Sequence, residues 1–322
     1  MLNRRSFTVF GAAAALGAPA LAQSDPIRIV VGFPAGGIVD VIARELGEAM
    51  KPYLGGRAIV VDAKPGAGGR IGVAAVKAAA PDGNTLLLTP ASIMTLYPHV
   101  FSKLGYDAKK DFLPVSTVCN SANALAVGAH IPARTLGEFI AWCKANPKEA
   151  TYASPGSGSA PHFLGAQIAT SAGIEMLHVP YKGAPDILND LYGGRISSFV
   201  TALSNAVQPH IGGKLRVLVT TATKRSALLP DVQTAAEAGF PQLTGTEWFG
   251  VFAPLGTSME RVAMLNAAIG KAVASDRIKE AFGKLIMEPA SSSSDEFARA
   301  IKADTDRWGA IAKRMNYQPV DA

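Results

Sequence analysis

From Ile27 onward the chain alternates short apolar runs with amphipathic periods. "IRIVVGF" reads as a strand, and Ile38, Val41, Ile42, Leu46 and Ala49 then recur at the spacing of one helical face. "RAIVVDA" predicts a second strand, "RIGVAAVKAAA" a second helix, and "PDGNTLLLT" a turn into a third strand. Strands separated by helices pair in parallel through right-handed crossovers, so the first unit is an α/β layer. After Asn123 the pattern starts again: "ALAVGA" is a strand, "TLGEFIAWCKAN" a helix opened by a Thr cap with Glu138 three residues on, and "ATYAS" a strand. A glycine-rich turn and helix follow in "PGSGSAPHFLGAQIATSAG", then the strand "MLHVPYKG", a helix over Pro185 to Tyr192, and the strands "RISSFVT" and "LRVLVTT". "GTEWFGVFAPLG" predicts an apolar, aromatic strand, with helices over Met259 to Ser275 and Ser294 to Met315 behind it. Those late helices lack strands of their own and are expected to pack on the first unit. The pattern thus predicts two α/β lobes joined by two crossing strands: 23–124 and 249–322 in the first, 125–248 in the second.

Residues 1–22 read as an address and not as structure. Arg4 and Arg5 give a basic start, Thr8 to Ala18 an apolar run, and Ala20-Leu21-Ala22 a small-x-small cleavage signal before Gln23. The run is shorter than the roughly 20 apolar residues a membrane helix needs, and no later segment is longer, so the expected product is exported to the periplasm and not membrane-embedded. Arg4-Arg5-Ser6-Phe7 fits a twin-arginine signal, and an ordinary Sec signal fits equally. Without that segment 29 basic residues face 25 acidic ones, with no basic run or aromatic interleaving, which does not resemble a nucleic-acid footprint. Cys119 and Cys143 are the only cysteines; an oxidising compartment permits a disulfide, and two buried free thiols are the alternative.

The candidate chemistry begins at "GFPAGGIVD", Gly32 to Asp40, where a strand turns into a helix. A nucleotide loop would continue Gly-Lys-Ser/Thr, and here Ile38-Val39 follows Gly36-Gly37, so nucleotide hydrolysis is excluded. What remains is a helix start whose free N–H groups suit an anion, or a tight turn without a ligand. "PGAGGRIG" lacks dinucleotide spacing, and the next strand ends in Thr89-Pro90 and not in an acid for a ribose, so no cofactor is expected. "SPGSGSAPH", Ser154 to His162, repeats the helix-start chemistry in the second lobe. Two donor clusters, one per lobe, suit a ligand gripped between them. The five histidines sit singly and give no metal spacing. His178 reads as a hydrogen-bonded structural residue, whereas His162, just inside a helix start, is a candidate ligand contact.

"IRIVVGFPAGGIVDVIAREL", "KPGAGGRIGVAAVKAAAPDGNTLLL", "YDAKKDFLPVS", "YASPGSGS", "HVPYKGAPDILNDLYGG" and "WFGVFAPLGT" resemble, in order and spacing, the extracytoplasmic solute-binding proteins of tripartite tricarboxylate transporters, the Bug family. The resemblance implies a periplasmic binding protein of the second type, a Venus flytrap, and not an enzyme. It implies a monomer that closes on a small carboxylate, a di- or tricarboxylate or an aromatic acid, and delivers it to membrane permease subunits. Carried over, the carboxylate jaws are Phe33, Ala35, Gly36, Gly37 and Asp40 on one side and Ser154, Gly156, Ser157, Gly158 and Ser159 on the other, with selectivity from Thr89 to Ser92 and from Thr201. The chain departs from the family pattern at Thr201-Ala202, where relatives often carry an acidic or amide pair, and this points toward a carboxylate without an amine. A ligand-loaded sensor docking on a receptor uses the same cleft and stays open as an alternative. An exported hydrolase using Ser157 or Ser159 with His162 is disfavoured, because no acid is placed to orient the histidine.

Overall fold

The computed structural model describes residues 25–314 and 317–321; the expected export signal lies outside them. Strands β1 (Ile27–Val31), β2 (Ile59–Ala63) and β3 (Thr85–Pro90) run parallel in the order β2-β1-β3, with α1 (Ile38–Met50) and α2 (Arg70–Lys77) as crossovers. Short helices α3 (Ala91–Thr95) and α4 (Tyr97–Val100) then lead into β4 (Phe112–Gly128), which at 17 residues is the longest strand among the described residues.

The second lobe follows as α5 (Leu136–Ala145), β5 (Thr151–Ser154), α6 (Ala160–Ala172), β6 (Leu177–Pro180), α7 (Ala184–Tyr192), β7 (Ser198–Ala202), α8 (Val207–Ile211), β8 (Leu215–Thr220) and β9 (Gln233–Thr234). The chain returns through β10 (Thr246–Pro254) and ends in α9 (Met259–Val273), α10 (Asp276–Gly283), β11 (Met287–Pro289) and α11 (Ser294–Arg314). Helix α10 and strand β11 were not visible in the apolar pattern. Helix α5 is capped as its sequence predicts, Thr135 Oγ1 accepting from Glu138 N at 3.1 Å. Ser293 and Glu296 form a reciprocal capping box at α11, with Glu296 N 3.2 Å from Ser293 Oγ and Ser293 N 2.9 Å from Glu296 Oε2.

β4 changes partner midway. From Phe112 to Ala122 it pairs antiparallel with β10; from Asn123 it pairs antiparallel with β7, and from Ala124 also with β8. One hydroxyl ties both crossings together: Thr221 Oγ1 accepts from Asn123 N at 2.9 Å and donates to Gly245 O at 2.6 Å. Beyond that point the alternation along β4 sorts its side chains into two layers. Leu125 and Val127 join the core under α5, whereas Ala124 and Ala126 join the one formed with Ile187 and Leu191 of α7. The first lobe has one large core, into which Val262, Leu265 and Ile269 of α9 and Phe297 and Ile301 of α11 insert, so the late helices pack on the first unit. Cys119 and Cys143 are buried free thiols.

Candidate functional site

The carboxyl ends of β1, β3, β5 and β7 meet at a single cavity, the position at which open α/β sheets hold ligands. It encloses about 50 Å³ and is lined from the first lobe by Phe33, Pro34, Gly37, Ile38, Val39, Pro90, Ser92 and Tyr97. The second lobe contributes Pro155, Ser159, Pro161, Ala184, Thr201, Ala202 and Asn205, and β10 adds Glu247 and Phe249. The walls are mostly apolar, and no Lys, Arg or His is among the lining residues. An anion entering here meets N–H and hydroxyl donors, not a cationic side chain.

Helix α1 supplies the first donors. Gly36 sits at φ +79°, a left-handed conformation that glycine adopts without a Cβ clash. Gly37 is the N-cap, extended and with no side-chain cap, so the first N–H groups of the helix are left for other partners. Ile38 N donates across the lobes to Asn205 Oδ1 at 3.2 Å, and Asn205 Nδ2 donates to Thr201 Oγ1 at 2.9 Å. Below the turn, buried Asp40 accepts from Gly36 N at 3.1 Å and from Arg44 Nε and Nη2 at 2.9 and 3.0 Å. Burial pushes the Asp40 carboxyl up, but the hydrogen bonds from Arg44 and Gly36 and the Arg44 charge together outweigh it and hold it below its ordinary range.

The second-lobe loop is braced from within. Ser159 Oγ donates to Gly156 O at 2.7 Å and caps α6 by accepting from His162 N at 3.4 Å. Gly158 N donates to His162 Nδ1 at 3.0 Å, which assigns the ring a bare Nδ1 and a proton on Nε2. The His162 ring stacks on His178 at 3.9 Å between centroids, and His178 Nε2 is 2.8 Å from Ser154 Oγ. Burial lowers His162 to about 4; burial and the neighbouring His162 lower His178 to about 3. The pair is therefore neutral near pH 7 and serves as backing for the loop, with the Ser159 hydroxyl already committed to the cap.

Of the residues singled out from sequence, Phe33, Gly37, Ser92, Ser159 and Thr201 line the cavity. Ala35, Gly36 and Asp40 shape the turn behind it. Thr89 is buried at the end of β3. Ser154, Gly156, Ser157, Gly158 and His162 form the second-lobe loop and its support. The loops also touch: a Cβ on Gly156 would lie 3.1 Å from Gly68 Cα, and one on Gly183 would lie 2.5 Å from Pro34 Cδ. Asn205, Tyr97 and Glu247 are additions from the structure. Glu247 reaches the cavity by register: Phe249 pairs with Pro90 across β10 and β3, which sets Glu247 beside Ser92, and Ser92 N donates to Glu247 Oε1 at 2.9 Å.

Residues 42–317 match the family described as "Tripartite tricarboxylate transporter family receptor". The chain belongs to this family. A Cupriavidus necator member is 35% identical, covering 98% of each chain, and BugT of Bordetella pertussis is 34% identical over 95% of this chain and 94% of its own. The solved structure of the periplasmic binding protein BugD superposes with a TM-score of 0.88 at 29% identity, covering 92% of this chain and 99% of that one. A Rhodopseudomonas palustris protein with bound malate gives 0.83 at 29% identity over 89% and 98% of the two chains. One from R. palustris with adipate gives 0.87 at 30% identity over 92% and 98%. The family's two-lobed periplasmic-binding-protein fold is the fold of this chain, and its members are solute receptors. No helix among the described residues is long and apolar enough to cross a membrane.

Proposed function

We propose that this family member is a periplasmic receptor that captures a small carboxylate between its lobes by hinge closure and delivers it to the membrane permease subunits of a tripartite tricarboxylate-type transporter. The observation that carries this reading is the cavity itself. Two helix N-termini and a few hydroxyl and amide groups converge there from both lobes, without a cation. The relatives holding malate and adipate support a carboxylate, and the apolar walls suit an aliphatic or aromatic body, so the candidates are di- and tricarboxylates and aromatic acids.

In this reading the chain is exported through residues 1–22 by the twin-arginine or Sec route and acts as a monomer. The lobes are 23–124 with 249–322, and 125–248. Phe33, Gly37, Ser92, Ser159 and Thr201 touch the ligand, and Asp40, His162 and their neighbours hold the two loops in place. Closure is favoured because the ligand makes contacts with both lobes only in the closed state. Calorimetry of the mature protein against dicarboxylates, tricarboxylates, aromatic acids and acidic amino acids tests the proposal. Saturable binding of a carboxylate is expected; heats of dilution alone, from protein shown to be folded, would refute it.

A further inference from the structure

Glu247 is the one charged side chain among the residues lining the cavity. It stands on β10, where the side chains alternate: Glu247 and Phe249 face the cavity, and Trp248 between them turns to α11, its Nε1 donating to Asp304 Oδ2 at 2.7 Å. The carboxylate is used as an acceptor by the protein, Oε1 taking the Ser92 N–H, a group that can only donate. An ionised carboxylate has about four acceptor positions, so capacity remains. Arg307, whose charge acts on it from α11, is itself paired with Asp304 at 3.0 Å. No basic residue lines this cavity, and although Arg307 shares a neighbouring cavity with Glu247, the ion pairs among the described residues join it to Asp304 and not to Glu247. A partly buried carboxylate without an ion-pair partner is costly, and burial pushes Glu247 above its ordinary range. A ligand bearing a second carboxylate here would meet repulsion, whereas a protonated amine would supply the missing charge.

We propose that Glu247 is a specificity-determining residue that selects, among the small carboxylates the site accepts, those that also carry a protonated amine. The ligand's carboxylate takes the donors at the starts of α1 and α6, and its ammonium sits on Glu247. The acid that the sequence lacks at Thr201-Ala202 is on this proposal supplied from another strand, so the proposal differs from the amine-free ligand to which Thr201-Ala202 points, and the test below decides between them. This rests on the carboxylate reading above and narrows it to amino acids with an aliphatic, acidic or aromatic body.

The test is calorimetry with matched pairs that differ only in the amine: aspartate against succinate, glutamate against glutarate, and phenylalanine against 3-phenylpropionate. Each is titrated into the wild type and Glu247→Gln, with the denaturation midpoint of both proteins measured in parallel. At least one amine-bearing acid is expected to bind the wild type roughly tenfold to a hundredfold more tightly than its partner, the range of a charge-assisted hydrogen bond in a desolvated site. In Glu247→Gln that advantage should disappear, the amine-bearing acid losing more affinity than its amine-free partner. Wild type that prefers the amine-free acids, or a preference that Glu247→Gln leaves intact, would overturn the role of Glu247 and leave the carboxylate reading standing. Failure of every acid with folded wild type would bring down the carboxylate reading as well. If Glu247→Gln does not fold, Glu247→Asp, which keeps the charge but shortens its reach, should keep the sign of the preference and reduce its size; an unchanged preference would count against the role.

Discussion

Gly183 stands immediately before α7, with its Cα hydrogens against the ring of Pro34 in the opposite lobe. Its φ of 175° is extended backbone that any residue adopts, so alanine costs nothing locally. The added Cβ would lie 2.5 Å from Pro34 Cδ and 2.9 Å from Cγ, well inside van der Waals contact, and the contact exists only when the lobes meet. Overpacking of this kind costs about 1–3 kcal/mol. In the proposed hinge closure this cost falls on the closed state alone, so Gly183→Ala should weaken ligand affinity by roughly 5- to 150-fold, tenfold for each 1.4 kcal/mol. The urea midpoint of the ligand-free protein should move little, since each lobe keeps its own core. Calorimetry with the tightest-binding acid gives the affinity, and small-angle scattering with and without that acid reports whether closure is impaired. The added variant Pro34→Ala removes the two ring carbons in the way and should restore most of the loss. Unchanged affinity in Gly183→Ala, or a loss that Pro34→Ala does not relieve, would refute closure through this contact.

Two further predictions follow from the site. His162 and His178 are neutral in the fold, with pKa values of about 4 and about 3 against 6.5 in the unfolded chain. The unfolded state therefore binds more protons, and stability present above pH 6.5 is lost as pH falls toward 4; each ring accounts for up to about 2 kcal/mol between pH 7.5 and 5. Urea titrations at the two pH values should show a smaller difference for His178→Asn than for the wild type, and equal differences would contradict the assignment. Asn205→Ala removes the bridge from Thr201 to the Ile38 N–H, at a cost near 1 kcal/mol to the closed state; a larger scattering radius without ligand and about fivefold weaker binding are expected, and an unchanged radius would show that the bridge does not hold the lobes.

Much of this fold was legible because each buried strand is a short apolar run bounded by turn residues, and because each long helix carries one apolar face. β4 was harder to see as one element: Pro114, Ser116, Thr117, Asn120, Ser121 and Asn123 interrupt its apolar pattern, and Ser116, Ser121 and Asn123 are buried only once the strand is paired and covered in the fold. Helix α10 hid behind α9, since "DRIKEAFG" offers just Ile278 and Phe282 to the core. The two loops at the cavity could be placed because glycine and serine clusters at strand ends are local signals. Asn205 and Glu247 could not be placed that way, because each reaches the cavity through a long-range register or cross-lobe contact. The available hint for Glu247 was an acid inside the aromatic strand "TEWFGVF", and its neighbour Trp248 turns the other way.

The most direct test of the whole account is a crystal structure of the mature protein grown with the acid that binds most tightly in calorimetry. The ligand is predicted in the cavity between the lobes, its carboxylate on the N–H groups at the start of α1 and beside Ser159, and an amine within hydrogen-bond distance of Glu247. A ligand held by one lobe only, or bound away from this cavity, would contradict the clamp.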